Sequence, residues 1–389
     1  MWSAAALRRL SRDTIASAGG AAVFSCSLGI ASVALPLLAL RSGYSAVEVG
    51  VLTALSAIAQ MATRLVLGAA MRLVGDWVLV VAAGVALCLS NGLVVASAAV
   101  VPFTLAEVLQ GFARACFWTG SQTHVVRNDA PAVGALATIN FVSSVGLLAG
   151  PVLAGLLVEH SPRAALGVGA AIAAVAVLPA LAIDRLPPFR PPPEGPPGRI
   201  WRRPGVDVGC WAGVTAGAWR GLLSSYVPVA LDAARQPAST IGVLVSVANG
   251  ASVVGSAIVG RVRHRWVMRS FVLGTLATGA TTGLVALAAD AWWAAGALLA
   301  VSGLGAGVLQ TIGPAIATDS VHPEERGDAI ATAGTFRAAA LFAAPLAVAS
   351  AVAIIPLTAA MGLAGALITA SAAVVRVRSP ATSHPGGPR

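Results

Sequence analysis

The chain has 389 residues, of which 57% are hydrophobic and only 10% charged, and its mean hydropathy is +0.84. That is too little charge to cover a water-soluble surface of this size, so a soluble class is excluded. The formal net charge of +10 does not point to nucleic acid, because most of it lies in short loops between apolar runs, where basic residues set membrane topology.

A helix crossing a bilayer needs about 20 apolar residues at about 1.5 Å of rise each. Arg8, Arg9 and Arg12 precede a first apolar run that reaches about Leu40. A secretory signal has an apolar core of only about 7–15 residues, so this run reads as an uncleaved span. Twelve spans follow on this criterion, near 14–40, 46–71, 77–97, 101–125, 133–158, 164–183, 206–230, 239–261, 267–288, 291–317, 328–349 and 351–374. The expected fold class is an all-α integral membrane protein with 12 transmembrane helices.

Orientation comes from arginine, which supplies all 25 basic residues because the chain has no lysine. With the N-terminus in the cytoplasm, 18 arginines lie on the cytoplasmic side, three outside (Arg41, Arg163, Arg235) and four within spans (Arg64, Arg114, Arg220, Arg337). The asymmetry places both termini on the cytoplasmic side of the cell membrane. The Ala/Gly/Val/Arg bias fits a high-GC, bacterial genome. Cys26, Cys88, Cys116 and Cys210 all fall in apolar spans without metal spacing and read as small packing residues.

Residues 186–199, LPPFRPPPEGPPGR, are extended proline-rich sequence that cannot pack a core. They divide the chain into an N-terminal six-helix bundle (1–184), a cytoplasmic linker (185–204) and a C-terminal six-helix bundle with a short polar tail (205–389). The halves read as copies. An offset of 192 aligns Pro36 with Pro228, Gly50-Val51-Leu52 with Gly242-Val243-Leu244, Gly68 with Gly260, and Gly111 with Gly303.

The fifth span carries the most specific motif. Gly146 to Gly155 reads GLLAGPVLAG. Gly146 and Gly150 share one helix face and admit a close neighbour, while Pro151 bends the helix. The run resembles the fifth-helix signature of major facilitator superfamily antiporters, G-x-x-x-G-P-x-x-G-G, with Ala154 in place of the penultimate glycine. The resemblance covers essentially the whole chain. It implies the major facilitator fold, two pseudo-symmetric six-helix bundles with a central site between them, and the 12-helix drug–proton antiporter branch.

Two further family patterns are altered here. The loop between helices two and three, G-x-x-x-D-R-x-G-R-R in the family, reads Gly68-Ala-Ala-Met-Arg72-Leu-Val-Gly75-Asp76-Trp77. The family's gating aspartate has become Arg72. Either Arg72 has swapped charge with Glu324, Glu325 or Asp328, or it only sets topology. Gly68, Arg72, Gly75, Asp76, Gly146, Gly150, Pro151 and Gly155 are the expected gating and structural residues. The helix-four pattern R-x-x-Q-G appears as Glu107-Val-Leu-Gln110-Gly111, with an arginine two turns later at Arg114.

Ionisable groups at membrane depth face water or a partner. Glu107, Gln110, Arg114, Trp118, Ser121 and Gln122 fall on one stripe of helix four at 3.6-residue periodicity. The stripe is either a hydrogen-bonded seam between helices or the wall of a cavity. Glu107 and Arg114 are seven residues apart, about 10 Å along the axis, so a relaxed ion pair between them is not expected. Glu107 is the one carboxylate well inside a span and the proton-coupling candidate, with a structural partnership to Arg220 as the alternative. Burial and nearby arginine act oppositely on a carboxylate, so its neighbours decide whether it titrates. Arg114, Trp118, Gln122, Gln110, Arg220, Gln310 and Arg337 are the substrate-binding candidates. Arg64, nearer the cytoplasmic end of helix two, reads as structural.

Three midplane arginines against one glutamate favour an anionic substrate, whereas the antiporter resemblance implies amphipathic cations or neutral drugs. The five histidines fall in loops and helix ends and form no catalytic constellation, and the chain has no phosphate-binding loop. The expected function is therefore not enzymatic. It is secondary active transport of a small organic molecule by alternating access, as proton-coupled efflux. A uniporter or symporter for an organic anion, or a non-transporting sensor, is the alternative. The expected partners are a small-molecule substrate, protons and the lipid bilayer. No nucleic acid and no cofactor are expected, and the chain is expected to act as a monomer.

Overall fold

The computed structural model describes residues 12–71, 73–128, 132–188, 200–259, 266–321 and 326–378. Among these residues the regular structure is thirteen α-helices and two short 3-10 turns. The helices are α1 (Arg12–Arg41), α2 (Ala46–Ala70), α3 (Asp76–Ala96), α4 (Val100–Asn128), α5 (Ala132–His160) and α6 (Pro162–Ala182), then α7 (Val206–Leu223), α8 (Tyr226–Ala233), α9 (Ala238–Val259), α10 (Val267–Leu284), α11 (Trp292–Asp319), α12 (Arg326–Val352) and α13 (Leu357–Arg378). Ten of these stretches are long and apolar enough to cross a membrane. The two remaining spans are the one shared by α7 and α8, and α13, whose apolar run is Leu357–Ala373.

Two boundaries differ from the hydropathy reading. The expected span 206–230 is broken, with α7 ending at Leu223 and α8 starting at Tyr226. Ser224 and Ser225 bond the carbonyls of the last turn there: Ser224 Oγ donates to Arg220 O and Ser225 Oγ to Gly221 O. Local side-chain bonds of this kind offer the backbone an alternative to continuing the helix. The last span starts at Leu357 rather than 351. The intervening turn is apolar, and its Ile354 is 86% exposed. Hydropathy cannot see such a break, although Pro356 marks it.

The pairings within the two sets of six repeat. In the first set α1 packs on α5 and α6, α4 on α2 and α3, and α3 on α6. In the second, α7 packs on α12, α11 on α9 and α10, and α10 on α13. Between the sets, α5 lies against α9 and α2 against α12. Exchanging the sets turns one of these contacts into the other, which is a twofold relation about an axis through the interface.

The 192-residue register survives at the level of atoms. A methyl group on Gly111 would strike Ser56 O and Ala59, and one on Gly303 would strike Ala248 O and Ala251, each 192 residues on. The Gly29 position faces Pro151 Cδ at 2.9 Å, and Gly221 faces Pro345 Cδ at 3.0 Å. The proline of the fifth-span signature thus has a counterpart in α12.

One end of the molecule carries the loops at 42–45, 97–99 and 234–237 and is called the distal end below. The other carries the segment between the halves and is called the linker end. At the distal end a single apolar core runs through both sets, from Ile30, Leu37 and Phe103 to Trp219, Tyr226 and Ile241. Toward the linker end the cores separate. One, around Phe24, Phe117 and Leu87, belongs to the first set, and two smaller ones, around Phe271 and Cys210, belong to the second. The apolar cores of the halves are therefore joined distally and distinct toward the linker. Arg72, Glu324 and Glu325 lie outside the described residues, as do 189–199 and 379–389, and the Asp328 side chain is likewise not described.

Candidate functional site: a guanidinium-rich centre between the halves

Where the shared core gives way to separate ones, polar side chains collect. Glu107, Gln110 and Arg114 of α4 line one pocket together with Ser32 and Pro36 of α1, Thr53 and Ser56 of α2, and Ser224 at the end of α7. The pocket thus draws on both halves. Glu107 is 5% exposed and Gln110 2%. The small Gly111 lets α2 approach α4 closely, which brings Ser56 to the carboxylate. Arg114 is half-buried, and its Nη2 donates to Gln110 Oε1 one turn back on its own helix. It forms no ion pair with Glu107, as the axial spacing anticipates; the two recorded ion pairs among the described residues both involve His124.

The other arginines come from the second half and are held by amides rather than acids. Arg220 of α7 donates through Nη1 to Asn249 Oδ1 at 2.6 Å, and its guanidinium sits 5.0 Å from the Trp219 ring centroid. The Trp219 indole donates to Ser302 Oγ at 3.1 Å, which fixes the ring. Arg337 of α12 donates to Gln310 Oε1 at 3.1 Å, and Gln310 Nε2 donates on to Ser252 Oγ at 3.2 Å. The charges feel one another across the interface. Arg220 is within the field of Arg114 and Arg337, and Arg337 within that of Arg64.

The helix-four stripe divides. Its first three polar residues face the pocket. Trp118 instead packs edge-on against Phe117, with ring centroids 5.4 Å apart, on the core of its own half. Ser121 Oγ donates back to Phe117 O and lines a second hollow beside His124. Gln122 is half-buried farther toward the linker end. Of the expected substrate-binding residues, Gln110 and Arg114 line this pocket, whereas Trp118, Gln122, Arg220, Gln310 and Arg337 are not among the residues lining it. Three turns of helix carry the stripe out of the wet region and into the first-half core.

Of the expected gating residues, Gly146 and Gly150 lie against the α1 backbone at Ala22 and Cys26. A methyl group on Gly155 would stand 2.9 Å from Ser239 Cα of α9, across the interface. Gly68 lies in the last turns of α2. A methyl group on Gly75 would stand 2.8 Å from Leu186 O.

Asp76 belongs to a cluster the sequence reading missed. His124 Nε2 is 3.0 Å from Asp13 Oδ1 and Oδ2, and its Nδ1 is 3.5 Å from Asp76 Oδ1. All three are buried, and the Asp184 amide also donates to Asp13 at 2.7 Å. His124 is thus no stray helix-end histidine but ties α1, α3 and α4 together near the linker end. It lies inside one half, away from the central pocket. The sequence signal available was two acids at the linker ends of α1 and α3, level with a histidine at the same end of α4.

Four side-chain hydrogen bonds between the halves are recorded among the described residues. Tyr226 Oη donates to Ala46 O at 2.9 Å, and the Ser239 amide to Glu159 Oε1 at 3.3 Å. Ser246 Oγ donates to Leu148 O at 2.7 Å, and Asn249 Nδ2 to Leu147 O at 3.3 Å. All four lie between the distal end and the level of Arg220.

A helical bundle closed at one end over a polar, two-sided centre is the geometry of a membrane carrier, and the sequence profile of the Major Facilitator Superfamily matches residues 18–345. The chain belongs to the Major Facilitator Superfamily. Among solved structures, a point mutant of the nucleoside transporter NupG superposes with a TM-score of 0.77 at 10% identity, covering 94% of this chain and 98% of that one. A POT family transporter with a thioalcohol-conjugated peptide gives 0.69 at 11% identity over 94% and 95%. A POT family transporter with 5-aminolevulinic acid gives 0.70 at 10% identity over 94% and 95%. No curated protein sequence matches. At such identities the likeness establishes the fold. This Major Facilitator Superfamily chain is a multi-pass membrane transporter and not an enzyme.

Proposed function

We propose that the protein exports a small organic molecule across the cell membrane by alternating access, driven by protons returning through the central site. The observation that carries this reading is the pocket in which a buried carboxylate, Glu107, shares its walls with Arg114 from its own half and Ser224 from the other. A site built from both halves is remade whenever the halves rock, which is the minimum requirement for coupling. In this reading the arginine counts put the linker end in the cytoplasm, so the apolar core shared by the halves lies at the outer end.

Glu107 is the coupling acid in this reading. The test is purified protein in proteoliposomes with an imposed pH gradient, against a panel of organic anions and cationic dyes. Glu107→Gln is expected to abolish gradient-driven accumulation of the transported compound while leaving its downhill exchange. Full gradient-driven uptake by Glu107→Gln would remove Glu107 from the coupling role.

A second reading, uniport or symport of an organic anion, is favoured by one specific observation. Arg114, Arg220 and Arg337, half-buried within their spans, have amides as their hydrogen-bond partners rather than carboxylates. Loss of transport in Arg114→Ala and Arg220→Ala for anions alone supports that reading, and equal loss for cationic dyes counts against it. Losing a charged hydrogen bond is worth roughly ten- to hundredfold in affinity.

A further inference from the structure

Proline 151 has a consequence beyond bending α5. A proline lacks the amide that would bond the carbonyl four residues back, and its ring pushes that carbonyl out of line. In α5 the released carbonyl is that of Leu147. The structure shows what takes it: Asn249 Nδ2, from α9 in the opposite half, at 3.3 Å. The other end of the same amide, Oδ1, accepts from Arg220 Nη1 at 2.6 Å. Asn249 is 5% exposed, so water is a poor substitute for either bond. Close by, Ser246 Oγ on Leu148 O, three residues before Asn249, and Gly250 beside Leu148 Cδ2, one residue after it, hold the two backbones in this register.

The related half supplies a control. Pro345 in α12 releases the carbonyl of Leu341 in the same way, but there the α7 backbone at Gly221 closes over it, at 2.6 Å from where a Cβ would stand. That contact lies within one half. Only the first-half proline hands its free carbonyl across the interface.

We propose that Asn249 is a positioning residue that links the bend of α5 to the placement of Arg220. With the distal side shut, Leu147 O fixes one end of the amide and its oxygen presents a fixed acceptor to the guanidinium. When α5 and α9 part, the amide loses its anchor and Arg220 loses its fixed orientation. The site and the interface are thereby tied through a single side chain. This rests on the reading of Arg220 as a residue of the central site, but its test needs no substrate.

The experiment is a double-mutant cycle on the full-length protein in nanodiscs, with the four cysteines replaced by alanine. Spin labels are placed at Arg163→Cys and Asp290→Cys, exposed distal positions on opposite halves. Pulsed electron resonance reads the ratio of short to long distances. Asn249→Ala and Pro151→Ala are each expected to shift that ratio toward the long distance by about two- to tenfold, the effect of one hydrogen bond. Together they are expected to shift it no further than either alone, because both remove the same bond. Asn249→Asp, of the same shape, keeps an acceptor for Arg220 but loses the amide donor, and is expected to behave like Asn249→Ala at the gate. It also serves if the alanine variant does not fold. Independent, additive shifts, or an Asn249→Asp ratio equal to the parent's, overturn the proposal. A chain that moves none of the tested compounds in vesicles, yet shows the non-additive cycle, would count against the transport reading and not against the tether.

Discussion

The helices α4 and α11 occupy the same place in their respective halves and carry opposite loads. Their packing is one pattern repeated, since Gly111 against Ser56 and Gly303 against Ala248 are the same contact 192 residues apart. Their chemistry is not. Glu107, Gln110 and Arg114 have Leu299, Ser302 and Ala306 as register mates. The second half brings its cations from α7 and α12 instead, and holds them with Asn249 and Gln310, whose own mates are Ala57 and Trp118. The frame of this fold is set by where backbones touch, so small residues and prolines can recur in both halves. The polar side chains between the halves are free to differ, because few of them support the frame.

That contrast can be tested at graded cost. The largest effect is expected at His124, where the first half uses buried charge near the linker end and the second has the apolar Ile316 at the matching place. Removing one member of a buried ionic cluster costs about 3–5 kcal/mol, so His124→Ala should lower the unfolding midpoint in detergent far more than Ile316→Ala. Equal losses would mean that the cluster adds nothing to the frame. Next come the paired contacts themselves. Gly111→Ala and Gly303→Ala each force a methyl into a backbone carbonyl and are expected to cost about 1–3 kcal/mol apiece. Gly92→Ala, with open space around it, should cost nothing. A large difference between the two paired glycines would show that the repeat is not mechanical. The smallest expected effect is Ser302→Ala, which leaves the Trp219 indole without its acceptor and costs about 1 kcal/mol. Its readout is Trp219 fluorescence together with thermal unfolding.

Much of this was legible in the sequence. Twelve apolar runs and a single register of glycines and prolines specified the bundle, because hydropathy and close backbone contact are one-dimensional signals. The Glu107–Gln110–Arg114 face was legible for the same reason, since three polar residues on one helix stripe have few alternatives in lipid. What stayed hidden depended on neighbours. The His124 cluster joins residues 111 positions apart. Asn249 looks like any interior amide until Leu147 is seen opposite it. Trp118 shares the stripe but not the pocket, because the pocket ends before the helix does. The serine break in the seventh span was written in side chains whose hydroxyls bond locally, which hydropathy averages away.

That break also gives the seventh span an elbow. Arg220 sits on one forearm and Tyr226, which grips Ala46 of the other half, begins the next. In the first half the corresponding stretch is one unbroken 30-residue helix. A latch mounted beyond a joint can lift without levering the segment behind it, so the distal contact of Tyr226 and the guanidinium of Arg220 need not move as one piece.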